Sequence, residues 1–188
     1  RATGTMSPGA LRRAISRRTR AIVPVHMYGQ PCDMGTIMEL SEARGIPVVE
    51  DACQAHGAAC EERAVGTFGA AAAFSFYPAK NLGACGQAGA VTTSNSDIAD
   101  RVRMYGNHGC RDRNAHECVG YNGRLDALQA AALRVKLREL PRWNLARRGI
   151  AARYREGLRE TPGLELPQEA PRRQSVYHLF VVRHPRRD

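Results

Sequence analysis

The sequence predicts an α/β fold with parallel strands at its centre, and three neighbouring segments carry this prediction. Two short apolar runs, 21–25 (AIVPV) and 46–49 (IPVV), are typical of strands. The segment between them has a helical pattern that begins near Asp33 and ends at Gly45. A strand, a helix and a strand within about thirty residues form a crossover unit whose two strands run parallel.

The flanking elements extend this α/β pattern on both sides. A capping residue followed by proline is a typical helix start, and apolar runs bounded by turn residues are typical of strands. The predicted elements are a helix from Ser7 and Pro8, strands at 70–76 and 88–93, and a helix capped by Ser96 and Asp97 that reaches Tyr105.

The longest regular pattern is a helix predicted for 124–140, in which leucine and alanine recur at helical spacing. Pro141 is predicted to interrupt it, because proline has no backbone N–H. A second, arginine-rich helix is predicted to follow, as far as residue 159. The run 175–183 has the composition of a strand, and we expect it to begin a second, smaller domain.

The chain is basic, with a formal net charge of +10 from 28 lysine and arginine residues against 18 acidic ones. All but two of these basic residues are arginines, spread over helix faces without interleaved aromatic residues. This distribution favours solvated surfaces over a nucleic-acid site. No apolar run approaches the roughly 20 residues that span a membrane, and no export segment is recognisable. We therefore expect a cytoplasmic protein.

The six cysteines have spacings and neighbours that favour reduced, packed thiols over a disulfide framework. His108 with Cys110, and His116 with Cys118, offer four zinc ligands in principle. Their spacing differs from the usual zinc motifs, and the residues 111–115 between them are polar. A surface loop is therefore favoured, and no metal site is predicted.

The carboxyl ends of the predicted parallel strands bring reactive side chains to one edge of the sheet, where open α/β sheets bind ligands. Asp51 follows the second strand, Ser75 ends the third, and Lys80 lies shortly beyond it. Each has a simpler explanation alone, as a helix cap, a strand residue and a surface charge. Together they suit pyridoxal phosphate.

These side chains have the chemistry that this cofactor requires. A lysine amine forms a Schiff base with its aldehyde, and a buried carboxylate keeps its ring nitrogen protonated. A hydroxyl and free backbone N–H groups bind its phosphate. Lys136, the other lysine, lies mid-helix and is expected to extend to water, so Lys80 is the candidate. The glycines of 83–89 lack the dinucleotide spacing and are expected to let backbone pass close to Lys80.

Four motifs resemble, in order, those of the DegT/StrS-type sugar aminotransferases, which use pyridoxal phosphate. They are 25–31 (VHMYGQP), 50–57 (EDACQAHG), 75–83 (SFYPAKNLG) and 120–130 (GYNGRLDALQA). The resemblance extends over nearly the whole chain. It implies the type I, aspartate aminotransferase-like fold and a homodimer with shared active sites. On this basis 1–140 is the C-terminal part of the large cofactor-binding domain, and 141–188 is a connecting helix and the start of the small domain.

The resemblance also implies roles for individual residues. Lys80 corresponds to the Schiff-base lysine, and Asp51 to the partner of the ring nitrogen. Gln54 corresponds to a residue against the ring face or its phenolic oxygen, and Ser75 to a phosphate ligand. Asn122 corresponds to the asparagine that reaches the phosphate of the neighbouring subunit's cofactor.

Three further positions are less well defined by the resemblance. His56 and His178 lie in matching motifs and are substrate-proximal candidates, with a packed histidine as the alternative for each. Gln87 stands where the family commonly has an acidic residue, and nothing in the sequence explains that change.

The reaction that the resemblance implies has two halves. Glutamate or glutamine gives its amino group to the cofactor while the freed Lys80 amine moves a proton, and a nucleotide-linked ketosugar then takes the amino group by the reverse sequence. A 3-keto sugar is preferred over a 4-keto sugar. Lysine at position 80 favours transamination over the related 3-dehydratases, which have histidine there. A ketocyclitol aminotransferase and a non-catalytic regulatory or DNA-binding protein are the alternatives.

The resemblance finally implies a longer protein. The N-terminal portion of the family supplies further phosphate-binding backbone and a group that covers the cofactor ring, and its small domain extends further. We expect the 188-residue chain alone to be inactive or poorly folded.

Overall fold

The computed structural model describes residues 3–112 and 115–187. Its α-helices are α1 (Pro8–Ala14), α2 (Met34–Glu42), α3 (Ser96–Gly106) and α4 (Ala127–Leu158). Its strands are β1 (Val49–Asp51), β2 (Ala59–Cys60), β3 (Arg63–Ala64), β4 (Ala71–Ser75), β5 (Gly89–Thr92), β6 (Cys110–Asp112), β7 (Ala115–His116) and β8 (Arg173–Gln174). A short 3-10 turn, Met27–Gly29, precedes α2.

The central sheet confirms the predicted parallel unit. β1 pairs in parallel with β4, which pairs antiparallel with β5. The run 21–25 lies on the other side of β1, with parallel bridges from Ile22 to Val48 and from Val25 to Asp51. It is not a continuous strand, because Pro24 has no N–H to donate to the ladder. The carboxyl ends of three parallel segments therefore meet at one edge.

The carboxylate of Glu50, in the middle of β1, holds the sheet to the loop before β4. Its Oε1 accepts hydrogen bonds from the backbone N–H groups of Phe68 (2.8 Å) and Gly69 (2.9 Å), and its Oε2 accepts one from Gly66 (2.8 Å). The side chain is fully buried. An unpaired buried charge is very unfavourable. The three N–H donors must therefore be in position when β1 takes its place in the sheet.

His26 completes the surroundings of this carboxylate. Its Nδ1 accepts a hydrogen bond from the Cys32 N–H (3.1 Å), so Nε2 carries the proton and donates to Glu50 Oε2 (3.1 Å). Burial alone would raise the pKa of Glu50, but the hydrogen bonds from His26 and from the N–H groups of Gly69 and Gly66 lower it below its ordinary value. Glu50 is therefore a buried, ionised side chain.

The predicted interruption at Pro141 is wrong, because α4 runs continuously from Ala127 to Leu158. Leu133 and Leu140 of its inner face pack on Leu82 and Ala84, beside the lysine turn. This burial stabilises the helix although the N–H of Pro141 is missing. In the described ranges, no helix combines the length and the apolar character needed to cross a membrane.

The run 175–183 is not a strand, contrary to the prediction. β8 ends at Gln174 after pairing with β2, and the next residues dock on the turn before α2 instead. The Val176 N–H donates to the Gly29 carbonyl (3.0 Å). Gly29 has φ +92°, and a Cβ there would lie 2.9 Å from Val176 Cγ2 and 3.0 Å from the nitrogen of His178. Only glycine permits this approach.

Two arginines of α4 bind the same C-terminal segment. Nη1 of Arg148 donates to Glu169 Oε1 (2.6 Å), and Nη1 of Arg147 donates to the carbonyls of Tyr177 (3.2 Å) and His178 (3.3 Å). The expectation of solvated arginine faces is therefore wrong for these two residues, because the adjoining segment supplies oxygen acceptors that favour guanidinium groups.

The two shorter helices begin at caps close to the predicted ones. Ser7 caps α1 as predicted, with its hydroxyl accepting from Ala10 N–H. The cap of α3 is Asn95, one residue before the predicted Ser96, and its side-chain oxygen accepts from two backbone N–H groups of the first turn.

The His/Cys segment forms a hairpin, with β6 paired to β7, rather than the predicted loop. Arg113 and Asn114 of that predicted loop lie outside the described residues. Cys110 Sγ lies 3.1 Å from His116 Nδ1. Within 3–112 and 115–187, no group of three or more His, Cys, Asp or Glu side chains is arranged to hold a metal ion. All six cysteines are free thiols.

Replacing Glu50 by glutamine is expected to lower the free energy of unfolding by about 3 kcal/mol, because the carboxylate is buried and fully paired. Since the folded-state pKa of Glu50 is lowered from 4.5, its stabilisation is present above that pH and is lost as pH falls through the folded-state value. Glu50→Gln should therefore flatten the acid limb of the stability profile. Urea unfolding of the full-length gene product between pH 3 and pH 8 measures both effects, with exposed Glu39→Gln as the control.

Candidate active site

Lys80 lies in a tight turn that leaves β4. Its backbone N–H donates to the Tyr77 carbonyl (2.9 Å), and the Ala84 N–H returns to the Phe76 carbonyl (2.7 Å). A Cβ on Gly83 would collide with the backbone of Pro78. The turn can fold back on itself there only because position 83 is glycine. The Lys80 ammonium is half-buried and has no hydrogen-bond partner among the described residues.

Lys136 does not extend to water as predicted. Its Nζ donates to the carbonyl of Gly83, across the interface between α4 and the lysine turn. The one lysine thus helps to fix the turn that presents the other. Because the Lys136 amine is bonded in this way, Lys80 is the lysine whose amine is available.

Asp51 ends β1 at the edge predicted for ligand binding. Its Oδ1 accepts from the Cys53 N–H (3.1 Å), and no hydrogen bond to Oδ2 is present in the described part of the chain. Burial, followed by the contact with Asp51, raises the pKa of the Cys53 thiol to about 11, and the Lys80 charge offsets part of this rise. Asp51, Cys53 and Lys80 therefore share one electrostatic environment.

Ser75 and Gln54 lie on neighbouring segments at the same edge. Ser75 ends β4, and its Oγ accepts from the Tyr77 N–H (3.3 Å). Gln54 Oε1 accepts from the backbone N–H of Tyr28 (2.7 Å), which has the left-handed φ of 60° that side chains rarely adopt. The amide oxygen of Gln54 thus stabilises a strained turn, and its NH2 group remains as a donor.

His56 lies deeper, with 3% of its surface exposed. Its ring is inclined to those of Phe74 and Phe76, with centroid separations of 5.5 Å and 5.7 Å, and neither ring nitrogen has a hydrogen-bond partner in the described part of the chain. Burial, together with the charges of Lys80 and His178, lowers the pKa of His56 to about 4, although the backbone of Ser75 opposes part of this shift. The imidazole is therefore neutral at ordinary pH.

Two asparagines that the sequence did not point to connect this site to the rest of the protein. Asn81 Nδ2 donates to Asn144 Oδ1 on α4 and to the Val176 carbonyl, both at 2.9 Å. Asn144 Nδ2 donates to the His56 carbonyl (2.8 Å). The position of Asn81 next to Lys80 could have pointed to it from the sequence. Asn144 lies in a helical stretch, and nothing in the helical pattern distinguishes it from its neighbours.

His178 joins this group through Asn81. Its Nδ1 lies 3.2 Å from Asn81 Oδ1. Burial lowers the pKa of His178 to about 4, and the positive charges of Lys80 and Arg147 contribute. The structure thus brings His178 to the lysine turn.

Asn122 is not brought to this cluster by any hydrogen bond among residues 3–112 and 115–187. It is exposed, forms an antiparallel bridge with Asn107, and accepts from Arg124 Nε at Oδ1 (3.2 Å). Its predicted role concerns a neighbouring subunit, and an exposed position is compatible with that role.

A cavity of about 1140 Å³ lies away from Lys80. It opens between Tyr28, the loop 163–168 and the segment 183–185. Tyr28 lines this cavity, and its backbone N–H donates to Gln54.

The whole chain, residues 1–188, matches the DegT/DnrJ/EryC1/StrS aminotransferase family. The chain belongs to this family. A dTDP-3-amino-3,4,6-trideoxy-alpha-D-glucose transaminase of Streptomyces venezuelae is 49% identical over 184 residues, 98% of this chain and 48% of that protein. The erythromycin biosynthesis sensory transduction protein EryC1 of Saccharopolyspora erythraea is 46% identical over 98% of this chain and 50% of that protein.

Solved structures confirm the predicted type I, aspartate aminotransferase-like fold. The crystal structure of S. venezuelae DesV in complex with a ketimine intermediate has a TM-score of 0.95 and 48% sequence identity. The match covers 99% of this chain and 50% of DesV. The chain thus spans about half the length of the relatives that it matches.

Iodoacetamide at pH 8 is expected to label exposed Cys85 at least about a hundredfold faster than Cys53 or Cys32. Burial raises the pKa of both slower thiols to about 11, so only about one molecule in a thousand carries the reactive thiolate. Peptide mapping of the full-length gene product measures the rates. Equal labelling of Cys53 and Cys85 would contradict the burial of Cys53 beside Asp51.

Proposed function

We propose that the full-length protein is a pyridoxal-phosphate-dependent aminotransferase of aminosugar biosynthesis. It transfers an amino group from glutamate or glutamine to a nucleotide-linked ketosugar. The observation that carries the proposal is the meeting of Lys80, Asp51 and Ser75 at one sheet edge, in a chain of an aminotransferase family. The name of the similar EryC1 protein refers to erythromycin biosynthesis, which supports a role in antibiotic biosynthesis. We also propose a cytoplasmic location.

The name of the similar S. venezuelae enzyme supports a nucleotide-linked sugar as the substrate. That protein is a transaminase named for a dTDP-sugar that carries an amino group at carbon 3. A 3-keto sugar is accordingly our preferred acceptor. The ketocyclitol alternative is not favoured by this similarity.

The available groups of the site fit pyridoxal phosphate. The Lys80 amine and Asp51 Oδ2 have no hydrogen-bond partners among the described residues, which leaves an amine and a carboxylate oxygen for a ligand at the sheet edge. Lys80, Asp51, Gln54 and Ser75 would hold the cofactor, with Asn122 contributing across a subunit interface. When bound, the cofactor supplies an aldehyde that reacts with amines and an electron-accepting ring.

The residues of the chain contribute positioning and proton transfer. The Asp51 carboxylate, held by the Cys53 N–H, supplies a fixed negative charge for the ring nitrogen. Lys80 Nζ would take a proton from the alpha carbon of the amino donor and pass it to the cofactor carbon, and it would move a proton in the opposite direction in the second half-reaction. Arginine could not replace it, because a guanidinium does not lose its proton at ordinary pH. Gln54 offers its NH2 group as a donor.

Lys80→Ala in the full-length gene product is expected to abolish transamination by at least about a thousandfold, because the proton-transferring amine is removed. The visible absorbance band of the cofactor-loaded protein should disappear, and borohydride should no longer fix the cofactor to the 75–83 peptide. Lys136→Arg is the control that keeps both signals. A persistent band fixed elsewhere in Lys80→Ala would contradict the assignment of Lys80.

A non-catalytic regulatory protein is the second candidate, because the similar EryC1 protein is named for sensory transduction. The absorbance, borohydride and transamination measurements described for Lys80→Ala also distinguish the two candidate functions. A regulatory protein without transaminase chemistry would bind no cofactor at Lys80, and amino transfer to a ketosugar would be absent in the unmodified protein as well.

We further propose a homodimer whose subunit interface contains Asn122. The segment around it carries large apolar side chains that are unusually exposed: Val119 (89%), Tyr121 (74%), Leu128 (84%) and Val135 (67%). Leu128 and Val135 lie two turns apart on one face of α4, away from the buried Leu133. An exposed apolar surface of this kind is typical of a protein interface.

We also propose the domain organisation that the family resemblance implies, with α4 running across its boundary. Residues 1–140 would belong to the large cofactor-binding domain, and 141–188 would lead into the small domain. The continuous helix α4 then joins the proposed interface, the lysine turn and the segment 169–178 in one rigid element.

Leu128→Glu is expected to convert the full-length dimer to monomer at micromolar concentration, because it places a charge in an apolar contact. Sedimentation velocity measures the change. Gly149→Glu is the matched control on the same helix, where a new side chain meets open space. A Leu128→Glu protein that remains dimeric would exclude this surface as the interface.

A further inference from the structure

Asn144 is a polar side chain on the buried face of α4. It is 7% exposed, and both of its polar atoms have partners from distant parts of the chain. Nδ2 donates to the backbone carbonyl of His56 (2.8 Å), and Oδ1 accepts from Asn81 Nδ2 (2.9 Å). Because a carbonyl can only accept a hydrogen bond, the contact with His56 fixes which end of the Asn144 amide is the donor. The side chain is therefore a bridge with a defined direction.

One end of this bridge is Asn81, the residue that follows Lys80. Asn81 Nδ2 also donates to the Val176 carbonyl (2.9 Å), and its Oδ1 lies 3.2 Å from His178 Nδ1. The amide of Asn81 is thus held by three separate segments. Neighbouring Cα atoms are only about 3.8 Å apart across a peptide bond. The backbone of Lys80 therefore cannot shift without disturbing the bonds of Asn81.

The other end of the bridge is the loop that carries Asp51. This loop is tightly folded between Asp51 and His56. The N–H of Ala55 donates to the carbonyl of Ala52, and the N–H of Ala58 donates to the carbonyl of Ala55, both at 3.0 Å. A restraint on the carbonyl of His56 is consequently a restraint on the whole loop, and Asn144 joins this loop to the lysine turn.

Gly57 shows that the loop is shaped around the Asn144 amide. It has φ +80°, and a Cβ at this position would lie 2.9 Å from Asn144 Nδ2. Only glycine permits both the conformation and the close approach. An apolar side chain of similar size at position 144 would serve packing equally well, since a buried hydrogen-bonded amide adds little net stability. What the amide adds is a fixed separation between two segments.

We propose that Asn144 is a positioning residue for Lys80. Its amide sets the distance between the lysine turn and the loop that carries Asp51, so that one bound cofactor can meet the Lys80 amine and the Asp51 carboxylate together. This proposal rests on the proposed function for the identity of the cofactor, whereas the bridge itself can be tested without any ligand.

Two substitutions in the full-length gene product remove the bridge. Asn144→Leu keeps the size of the side chain and loses both hydrogen bonds. Asn144→Ala leaves a gap in which water can bond to the freed groups, so it disturbs the fold less. In both variants the Val176 carbonyl still binds Asn81, which loosens the lysine turn without releasing it. The control is Ala151→Gly, because Ala151 is buried on α4 and glycine weakens a helix without touching either amide.

The first measurement compares the dissociation constants of pyridoxal phosphate and pyridoxamine phosphate. Both have the same ring nitrogen and phosphate, but only the aldehyde of pyridoxal phosphate condenses with the Lys80 amine, with loss of water. Each Asn144 variant should weaken pyridoxal phosphate binding about tenfold, as expected for the loss of two ordinary hydrogen bonds, and pyridoxamine phosphate binding less than about twofold. Ala151→Gly should change neither. An equal loss for the two compounds, or no loss for either, would overturn the proposal.

The second measurement is amide hydrogen exchange of the cofactor-free protein. The N–H groups of Lys80 and Ala84 close the lysine turn by donating to the carbonyls of Tyr77 and Phe76. Asn144→Ala should raise the exchange rates of these two amides about fivefold above those of Ala151→Gly, because the turn opens more often. Equal rates in the two variants would show that Asn144 does not hold the turn.

The two measurements keep this proposal separate from the proposed function. If the unmodified protein binds neither form of the cofactor, the proposed function fails. The exchange rates then still decide whether Asn144 fixes the lysine turn, and rates that do not rise overturn the proposal in either case.

Discussion

The buried carboxylate of Glu50 is the interaction on which the arrangement of the sheet edge depends. It lies one residue before Asp51 and is bonded to the loop 66–69 and to His26. That loop leads into β4 and the lysine turn, whereas His26 begins the turn that receives Val176. A buried charge is tolerated only when its donors are complete, so these segments reach their positions together or not at all.

A second, uncharged hydrogen-bond network lies closer to Lys80. The amides of Asn81 and Asn144 join the lysine turn, α4 and the segment at Val176 through bonds with defined donors and acceptors. The two networks differ in what they supply. The Glu50 carboxylate holds the segments of the fold together. The two amides fix the orientation of donors and acceptors, because each amide has one end that donates and one that accepts.

The sequence predicted the parts of this protein that depend on local pattern. The βαβ unit, the edge at the carboxyl ends of its strands and the positions of Asp51, Ser75 and Lys80 at that edge follow from periodicity and strand order. Pro141 was predicted to break a helix because propensity is local, whereas the packing of Leu140 on Leu82 is not. For the same reason the sequence did not show that Lys136 would reach the lysine turn.

The residues missed in the site share one property, which is that their partners are distant in the chain. Asn144 contacts Asn81 and the carbonyl of His56, and no spacing rule connects positions so far apart. Glu50 stood in a recognised motif beside Asp51. Only the folded chain shows that the Glu50 carboxylate is fully hydrogen-bonded, whereas Asp51 Oδ2 has no hydrogen-bond partner among the residues that the structure describes. Sequence patterns thus pointed to candidate reactive side chains but not to the residues that hold them in place.

The unbroken course of α4 has a consequence for the length of the chain. Each residue advances a helix by about 100°, so Leu133, Leu140 and Asn144 share a face only at their present spacing. Removing one residue between Leu133 and Asn144 would turn the amide away from Asn81 while leaving every side chain of the lysine turn intact. The phase of this helix is therefore as much a part of the site as the composition of the turn.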